Sequence, residues 1–217
     1  MLDIPVYSLT GQQVDTLQVD EAALGGEINA ALLKQAYVMY HANRRQGTHA
    51  TKNKSRVEGS TRKLYKQKHT GRARRGQVRT NIMKGGGVAH VKLPKEWRQA
   101  MPIKMRRLAT RNALLAKAVD MEIKVVDTFG FKEAKTKAFA AVLAALKINR
   151  TVLVALKGDD SVTQQSARNI ADVQTIRIDQ LNAYDLLSRR FLLVEKSALV
   201  GWLDSQKKLG ASAEEAA

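Results

Sequence analysis

The amino-acid sequence predicts an α/β fold, in which a doubly wound, mainly parallel sheet has helices on both faces and carries a long irregular basic loop insertion. Two observations support this prediction. From Ile123 onward, short apolar runs typical of buried strands alternate with short helical patterns, as expected for a parallel sheet that is covered on both sides. Between residues 43 and 100, by contrast, no helical or alternating period persists.

The charge is divided in the same way as the pattern. The segment Asn43–Arg107 contains 20 of the 37 Lys and Arg residues and only two acids, whereas the other residues contain 17 bases and 18 acids. One segment therefore carries essentially the whole formal net charge of +17. The chain has no cysteine, which excludes disulfides, thiolate catalysis and Cys-ligated zinc.

The first part of the chain predicts a hairpin followed by a helix. Leu2–Leu9 and Gln13–Val19 resemble two short strands. Glu27–Tyr40 is predicted to be a helix, because apolar residues recur at helical spacing after the breaker Gly25-Gly26. The residues predicted to form its apolar face are Ile28, Ala31, Leu32 and Met39.

After the basic segment, Pro102 precedes a predicted helix over Ile103–Val119, a favourable place for proline. The elements predicted next are strand Ile123–Val126, helix Thr136–Leu146, strand Thr151–Leu156, helix Ser161–Asn169, strand Val173–Ile178, helix Ala183–Leu187, strand Phe191–Val194 and helix Ser197–Lys208. Asp159-Asp160 is interpreted as a turn and helix cap, and Asn182 as a second cap. We expect residues 1–42 and 101–209 to form a globular body, 43–100 an extended RNA-binding loop, and 210–217 a flexible tail.

The ends and the hydropathy predict no membrane association. Met1–Thr10 lacks the basic and apolar regions of a signal peptide. No run of about 18 apolar residues occurs, so we expect no membrane-spanning segment. The basic segment also lacks the apolar face that a membrane-surface helix needs.

The basic segment predicts a nucleic-acid partner. Its Arg and Lys residues are interleaved with Gly, Thr, Ser, Asn and Gln, a composition that suits contact with phosphates. Tyr65 and Trp97 are expected to stack on unpaired bases. RNA is favoured over DNA because no helix-turn-helix, zinc-finger or basic-zipper pattern is present. The residues predicted to bind RNA are Arg44, Arg45, Lys52, Lys54, Arg56, Arg62, Lys63, Tyr65, Lys66, Lys68, His69, Arg72, Arg74, Arg75, Arg79, Lys84, Gly85, Gly86, Gly87, Arg106 and Arg107.

Other kinds of site are not predicted. Gly71–Gly76 has the glycine spacing of a phosphate loop, but Gln77-Val78 follows instead of Lys-Ser/Thr. The four histidines lie in or beside the basic segment without a carboxylate cluster, which disfavours a metal site. Because no catalytic set can be assembled, we expect no enzymatic activity, no cofactor and no metal.

Several strings in this order resemble one known family. They are Lys66-Gln-Lys-His-Thr-Gly-Arg-Ala-Arg74, Gly85-Gly-Gly-Val88, Arg45-Gln-Gly-Thr48, Pro102-Ile-Lys-Met-Arg-Arg107 and Ala134-Lys-Thr-Lys137. Together they are similar to the bacterial large-subunit ribosomal protein L-four (uL-four) family, over essentially the whole chain.

The resemblance implies a structural component of the large ribosomal subunit that binds large-subunit ribosomal RNA early in assembly and is cytoplasmic, in the ribosome. It implies that the loop reaches the constriction of the nascent-peptide exit tunnel, with Lys68, His69 and Gly71 at its tip. The implied partners are the ribosomal RNA, neighbouring ribosomal proteins of the large subunit and the nascent peptide.

Two departures from the family pattern occur near the tip. Leu64-Tyr65 stands where the family usually has Pro-Trp, and His69 stands where it usually has Gly. We hypothesise that His69 adds bulk and a titratable group at the constriction. Comparing tunnel width in ribosomes that carry His69→Gly tests this hypothesis, and an unchanged width contradicts it.

Two alternative functions remain open from the residues alone. One is an RNA-processing enzyme that uses the basic segment as a substrate clamp, and the other is a nucleoid-type DNA-binding protein with a protruding basic arm. On any of these interpretations, we expect the basic segment to be disordered and protease-sensitive without nucleic acid.

Overall fold

The computed structural model describes the backbone of residues 1–214 and the side chains of residues 1–206. The chain divides into two compact units. The first, here called the body, comprises Met1–His41 and the chain from Ala100 onward. The second, here called the arm, comprises Ala42–Gln99.

The described part of the body contains one six-stranded sheet with the order β2-β1-β3-β6-β4-β5. Its strands are β1 (Leu2–Tyr7), β2 (Gln13–Val19), β3 (Ile123–Val126), β4 (Val152–Leu156), β5 (Val173–Arg177) and β6 (Phe191–Glu195). β1 and β2 form an antiparallel hairpin, and the pairs β1–β3, β3–β6, β6–β4 and β4–β5 are all parallel. The predicted mainly parallel sheet is therefore confirmed.

Within residues 1–214, six helices accompany the strands. They are α1 (Ala30–Asn43), α2 (Ile103–Val119), α3 (Thr136–Ala145), α4 (Ser161–Ala167), α5 (Ala183–Ser188) and α6 (Lys196–Glu214). Short 3-10 turns lie at Ala22–Leu24 and Ile178–Gln180. No helix in the described part of the chain is long and apolar enough to cross a bilayer.

The sheet separates two hydrophobic cores, because successive strand residues point to opposite faces. Val125 lies in the first core and Val126 in the second. The first core also receives buried residues from α1, α2, α5 and α6, and the second receives them from α3 and α4. All five residues of β4 are buried, so the prediction of helices on both faces is confirmed.

Side-chain caps fix the starts of several helices. Asp160 Oδ1 accepts from Thr163 N (3.1 Å) before α4, and Asn182 Oδ1 accepts from Asp185 N (2.9 Å) before α5, which confirms both predicted caps. α1 begins later than predicted because Asn29 Oδ1 accepts from Leu32 N (3.0 Å).

Two details of the predicted helices are wrong. Ile28 and Ala31 are exposed, and α1 packs instead through Leu32, Leu33, Ala36 and Met39. α6 continues to Glu214, so residues 210–214 are helical where a tail was predicted. Residues 215–217 of the predicted tail lie outside the described residues.

Candidate nucleic-acid interface

The arm concentrates the positive charge of the chain on exposed side chains. Residues 42–99 contain 17 Lys and Arg residues against two acids, whereas the rest of the chain contains 20 against 18. All of these arm cations are exposed except Arg79, which is half-buried. The arm has no named helix or strand beyond the end of α1, in agreement with the predicted irregular loop.

The two limbs of the arm are nevertheless joined by hydrogen bonds along its length. Where the two limbs begin and end, at residues 43–47 and 95–99 (here called the neck), Asn43 Nδ2 donates to Gln99 O (3.2 Å) and Asn43 Oδ1 accepts from Gln99 N (2.8 Å). Further along, Thr51 N donates to Lys92 O (2.9 Å) and Lys92 N donates to Thr51 Oγ1 (2.8 Å). The arm is therefore a hairpin whose backbone is paired at intervals, and it differs from the disordered segment that was expected without nucleic acid, because these pairs fix its path.

Trp97 packs against both limbs of the neck, between these two sets of hydrogen bonds. The Arg45 guanidinium lies 3.9 Å from the centroid of the Trp97 ring, and the Lys95 ammonium lies 4.6 Å from it. Lys95 N also donates to Gly47 O (3.1 Å). Gly47 has φ +70°, and a Cβ there would lie 2.1 Å from Lys95 O. The arm's own packing thus accounts for Trp97, and its stacking on a base stays a prediction.

Two glycines of the triplet, Gly86 and Gly87, pack inside the arm, whereas Gly85 is exposed. Gly87 N donates to Arg79 O (3.0 Å), and Val88 N donates to Lys52 O (2.9 Å). A Cβ on Gly86 would lie 1.9 Å from Thr80 O, and one on Gly87 would lie 2.3 Å from Lys54 N. These glycines are required because backbone passes directly against backbone. An RNA contact by Gly85, Gly86 or Gly87 stays a prediction.

The tip of the hairpin lies between Leu64 and Gly76. Leu64 N donates to Gly76 O (3.1 Å), and the Tyr65 hydroxyl donates to Ala73 O. His69 has φ +65° and Gly71 has φ +62°, so the chain reverses through two left-handed residues. Histidine tolerates this conformation better than most residues, although glycine adopts it without strain.

The predicted RNA-binding residues fall into three groups. Most of the arm residues are exposed: Arg44, Arg45, Lys52, Lys54, Arg56, Arg62, Lys63, Lys66, Lys68, His69, Arg72, Arg74, Arg75, Lys84 and Gly85. Tyr65, Arg79, Gly86 and Gly87 are at least half-buried, and Arg79 Nη1 donates to Val57 O (3.0 Å). Arg106 and Arg107 belong to α2 in the body, where Arg106 is half-buried and Arg107 is exposed.

Sequence reasoning missed the contacts that join the two limbs. Asn43 and Gln99 are separated by 56 residues, and nothing in their local pattern indicates that they pair. The only available signals were Gly47 and the glycine triplet, because glycine often marks a close approach of two backbones.

The described residues contain no cluster of three or more side chains that could hold a metal ion. Among the side chains that the structure describes in the body, Lys117 is the buried cation, with 6% exposure. Burial lowers the pKa of Lys117 below its ordinary value of 10.5, against the opposing effect of the Glu122 carboxylate. Lys117 Nζ donates to Glu122 Oε2 (3.1 Å) and to Arg190 O (2.5 Å). These hydrogen bonds join parts of the body, so we interpret Lys117 as a structural residue.

Comparison with known proteins identifies the family. A family model described as "Ribosomal protein L4/L1 family" matches residues 17–204. The large ribosomal subunit protein uL4 of Dehalococcoides mccartyi is 40% identical over 198 residues, which cover 91% of this chain and 94% of that protein. The protein of the same name from Desulfatibacillum aliphaticivorans is 38% identical over 199 residues, which cover 92% of this chain and 96% of that protein. The chain therefore belongs to the Ribosomal protein L4/L1 family.

Proposed function

We propose that this chain is a structural component of the large ribosomal subunit that binds large-subunit ribosomal RNA through its arm. The observation that carries the proposal is the arm itself, a paired hairpin with 17 exposed or half-buried cations and two acids. Membership of a ribosomal protein family supports the same conclusion.

The mechanism is electrostatic scaffolding. RNA strands repel one another at close range because each phosphate is charged, and Lys and Arg side chains placed between them remove this repulsion while releasing counterions. The limb-to-limb hydrogen bonds hold much of the arm backbone before RNA binds, which lowers the ordering entropy that binding must offset. The arm therefore acts as a partly preformed polycation.

The tip is the part of the arm that we assign to the exit tunnel. Lys68, His69 and Gly71 lie in the turn, and by resemblance this turn lines the tunnel constriction beside the nascent peptide. In this location the chain would also contact neighbouring ribosomal proteins of the large subunit. Arg106 and Arg107 supply RNA contacts from the body.

Scaffolding requires neither a cofactor nor a catalytic group. The rival function of an RNA-processing enzyme requires turnover of RNA by the purified chain, and the DNA-binding rival requires preference for duplex DNA. Competition between folded ribosomal RNA and duplex DNA at moderate salt distinguishes these functions, because the scaffold binds the folded RNA in preference.

The direct experiment is cosedimentation with large ribosomal subunits after a high-salt wash, with RNA crosslinks mapped on the chain. We expect the chain to remain with the subunit and the crosslinks to concentrate in residues 42–99. Complete release by the wash, or crosslinks confined to the body, contradicts the proposal.

A further inference from the structure

A cavity of about 360 Å³ lies in the body among α1, α2, α6 and the segment that follows β5. Its volume is within the range of about 300–1,000 Å³ that is usual for small-molecule sites. Its walls combine apolar and aromatic side chains, arginines and a carboxylate. The proposed function does not explain why these three kinds of side chain lie together. The six that matter are Tyr40, Leu181, Trp202, Arg106, Arg107 and Asp179.

One part of the wall is apolar and aromatic. Tyr40 is half-buried, and Leu181 and Trp202 are each 7% exposed. The body core holds these side chains, since Leu181 and Trp202 belong to its first cluster and Tyr40 packs against it. A planar ring entering the cavity thus meets a fixed apolar surface instead of a flexible one.

Another part of the wall is a pair of arginines on α2. Arg106 Nε is buried and has no hydrogen-bond partner among the residues that the structure describes. Arg107 follows it at the mouth and is exposed. A buried guanidinium N–H without an acceptor is costly, and a phosphate oxygen is the acceptor that arginine binds best.

The third component is the Asp179 carboxylate, which argues against a simple anion site. Its Oδ2 lies 3.5 Å from Arg177 Nη2, and its side chain is 68% exposed, so acceptor capacity remains. A carboxylate repels a small anion, but it accepts hydrogen bonds from the N–H groups of a nucleobase. An apolar wall, two arginines and a carboxylate together match a nucleotide better than inorganic phosphate.

We infer that this cavity receives one unstacked nucleotide of the RNA that the chain binds. Its ring lies against Tyr40, Leu181 and Trp202, its phosphate lies on Arg106 and Arg107, and Asp179 accepts from the ring edge. The inference rests on the proposed function, because it takes the nucleotide from bound RNA. It gives the body a role that the arm lacks, since phosphate contacts position RNA whereas contacts to bases discriminate sequence.

Tryptophan fluorescence tests the ring contact. The chain has two tryptophans, so Trp97→Phe leaves Trp202 as the only reporter. We expect an in vitro transcript of the large-subunit ribosomal RNA to quench Trp202 emission as it binds. Inorganic phosphate should leave that emission unchanged, because it fills only the arginine end of the cavity.

A matched pair of charge variants on α2 tests the phosphate contact. Arg107→Gln removes a cavity arginine, whereas Lys104→Gln removes an exposed cation of the same helix that does not line the cavity. We expect Arg107→Gln to lower RNA affinity about tenfold and to remove the quenching. Lys104→Gln should lower affinity by no more than about twofold and leave the quenching intact.

Because the chain has no cysteine, single cysteines report access to the cavity independently. Ile103→Cys places a thiol at the mouth and Val119→Cys places one at the other end of α2, at positions where the native side chains are 58% and 52% exposed. We expect bound RNA to slow modification of the first thiol at least about tenfold more than that of the second.

The outcomes separate the inference from the function on which it rests. RNA that binds tightly while Trp202 emission stays constant and both thiols react alike overturns the nucleotide site and leaves the proposed function standing. Quenching by guanosine 5′-monophosphate but not by the RNA transcript overturns the assignment to an RNA nucleotide. A chain that does not bind the transcript at all overturns the proposed function itself.

Discussion

The body and the arm are held together by different forces. In the body, two hydrophobic cores lie on opposite faces of the sheet, and all five residues of β4 are buried. In the arm, only Gly47 and Gly87 are fully buried, and hydrogen bonds between the limbs replace a core. The comparison shows that a segment with almost no apolar interior can still have a defined backbone path where glycine permits close pairing.

The two units also differ in how far their positive charges are balanced by acids. The rest of the chain nearly balances its 20 cations with 18 acids, while the arm leaves 17 cations against two acids. Self-repulsion in the arm opposes compactness, and a polyanion removes it. The arm is therefore organised for binding, whereas the body is organised for stability.

The largest expected difference between the units is in how much the free energy of unfolding falls when a leucine is replaced by alanine. Leu153 is fully buried in β4, so Leu153→Ala should lower the free energy of unfolding by about 2–5 kcal/mol. Leu64 in the arm is 43% exposed, so Leu64→Ala should cost about 0.5 kcal/mol or less. Urea unfolding followed by circular dichroism measures both, and equal losses would contradict the contrast.

The arm should instead be sensitive to its close-packed glycines. Gly87→Ala places a Cβ 2.3 Å from Lys54 N and should destabilise the arm locally by about 1–3 kcal/mol. Hydrogen exchange at Val88 N, which bonds to Lys52 O (2.9 Å), should accelerate about 5- to 150-fold without a change in body unfolding. Gly76→Ala is the control, because its Cβ meets nothing nearer than 3.8 Å. Similar exchange in both variants would refute the packing role.

The buried Lys117 predicts a pH dependence that belongs to the body. Because burial lowers its pKa in the folded state, the unfolded chain binds more protons between that pKa and 10.5, and the free energy of unfolding rises with pH in this window. Lys117→Met should flatten the rise. Urea unfolding of both proteins at several pH values up to 10.5 measures it, and identical slopes would rule out a contribution from Lys117.

The smallest expected effect is at the tip. A left-handed residue other than glycine costs roughly 1–2 kcal/mol, and β-branched side chains tolerate it worst. His69→Val should therefore speed exchange at Leu64 N, which bonds to Gly76 O (3.1 Å), by about tenfold. His69→Gly should leave it unchanged or slower. Faster exchange in the glycine variant than in the valine variant would show that the left-handed turn does not form.

The bounds of helices and strands could be predicted from the sequence where local signals mark their ends. α2 runs from Ile103 to Val119 as predicted, because Pro102 marks its start and the apolar period marks its face. β2 and β3 also have the predicted bounds. The start of α1 was predicted three residues too early, because the Gly25-Gly26 breaker was a stronger local signal than the Asn29 cap.

The internal order of the arm could not be predicted in the same way. Its limbs pair through backbone groups far apart in sequence, such as Thr51 with Lys92, and such pairs leave no periodic trace. The glycine triplet is predicted from the sequence to bind RNA, whereas in the structure Gly87 lies against the backbone of Lys54. The cavity beside Trp202 depends on tertiary packing of four segments, which single-sequence patterns do not show.

We expect the arm to carry most of the electrostatic part of RNA binding, with Arg106 and Arg107 as the contribution of the body. Two variants with six glutamine substitutions each test it at several salt concentrations. The arm variant replaces Arg62, Lys63, Lys66, Lys68, Arg72 and Arg74, and the body variant replaces the exposed Lys34, Lys132, Lys137, Lys147, Arg150 and Lys157. We expect the log–log salt slope for ribosomal RNA to fall by about 4–5 in the arm variant and by less than about 1 in the body variant. Equal falls in the two variants would contradict it.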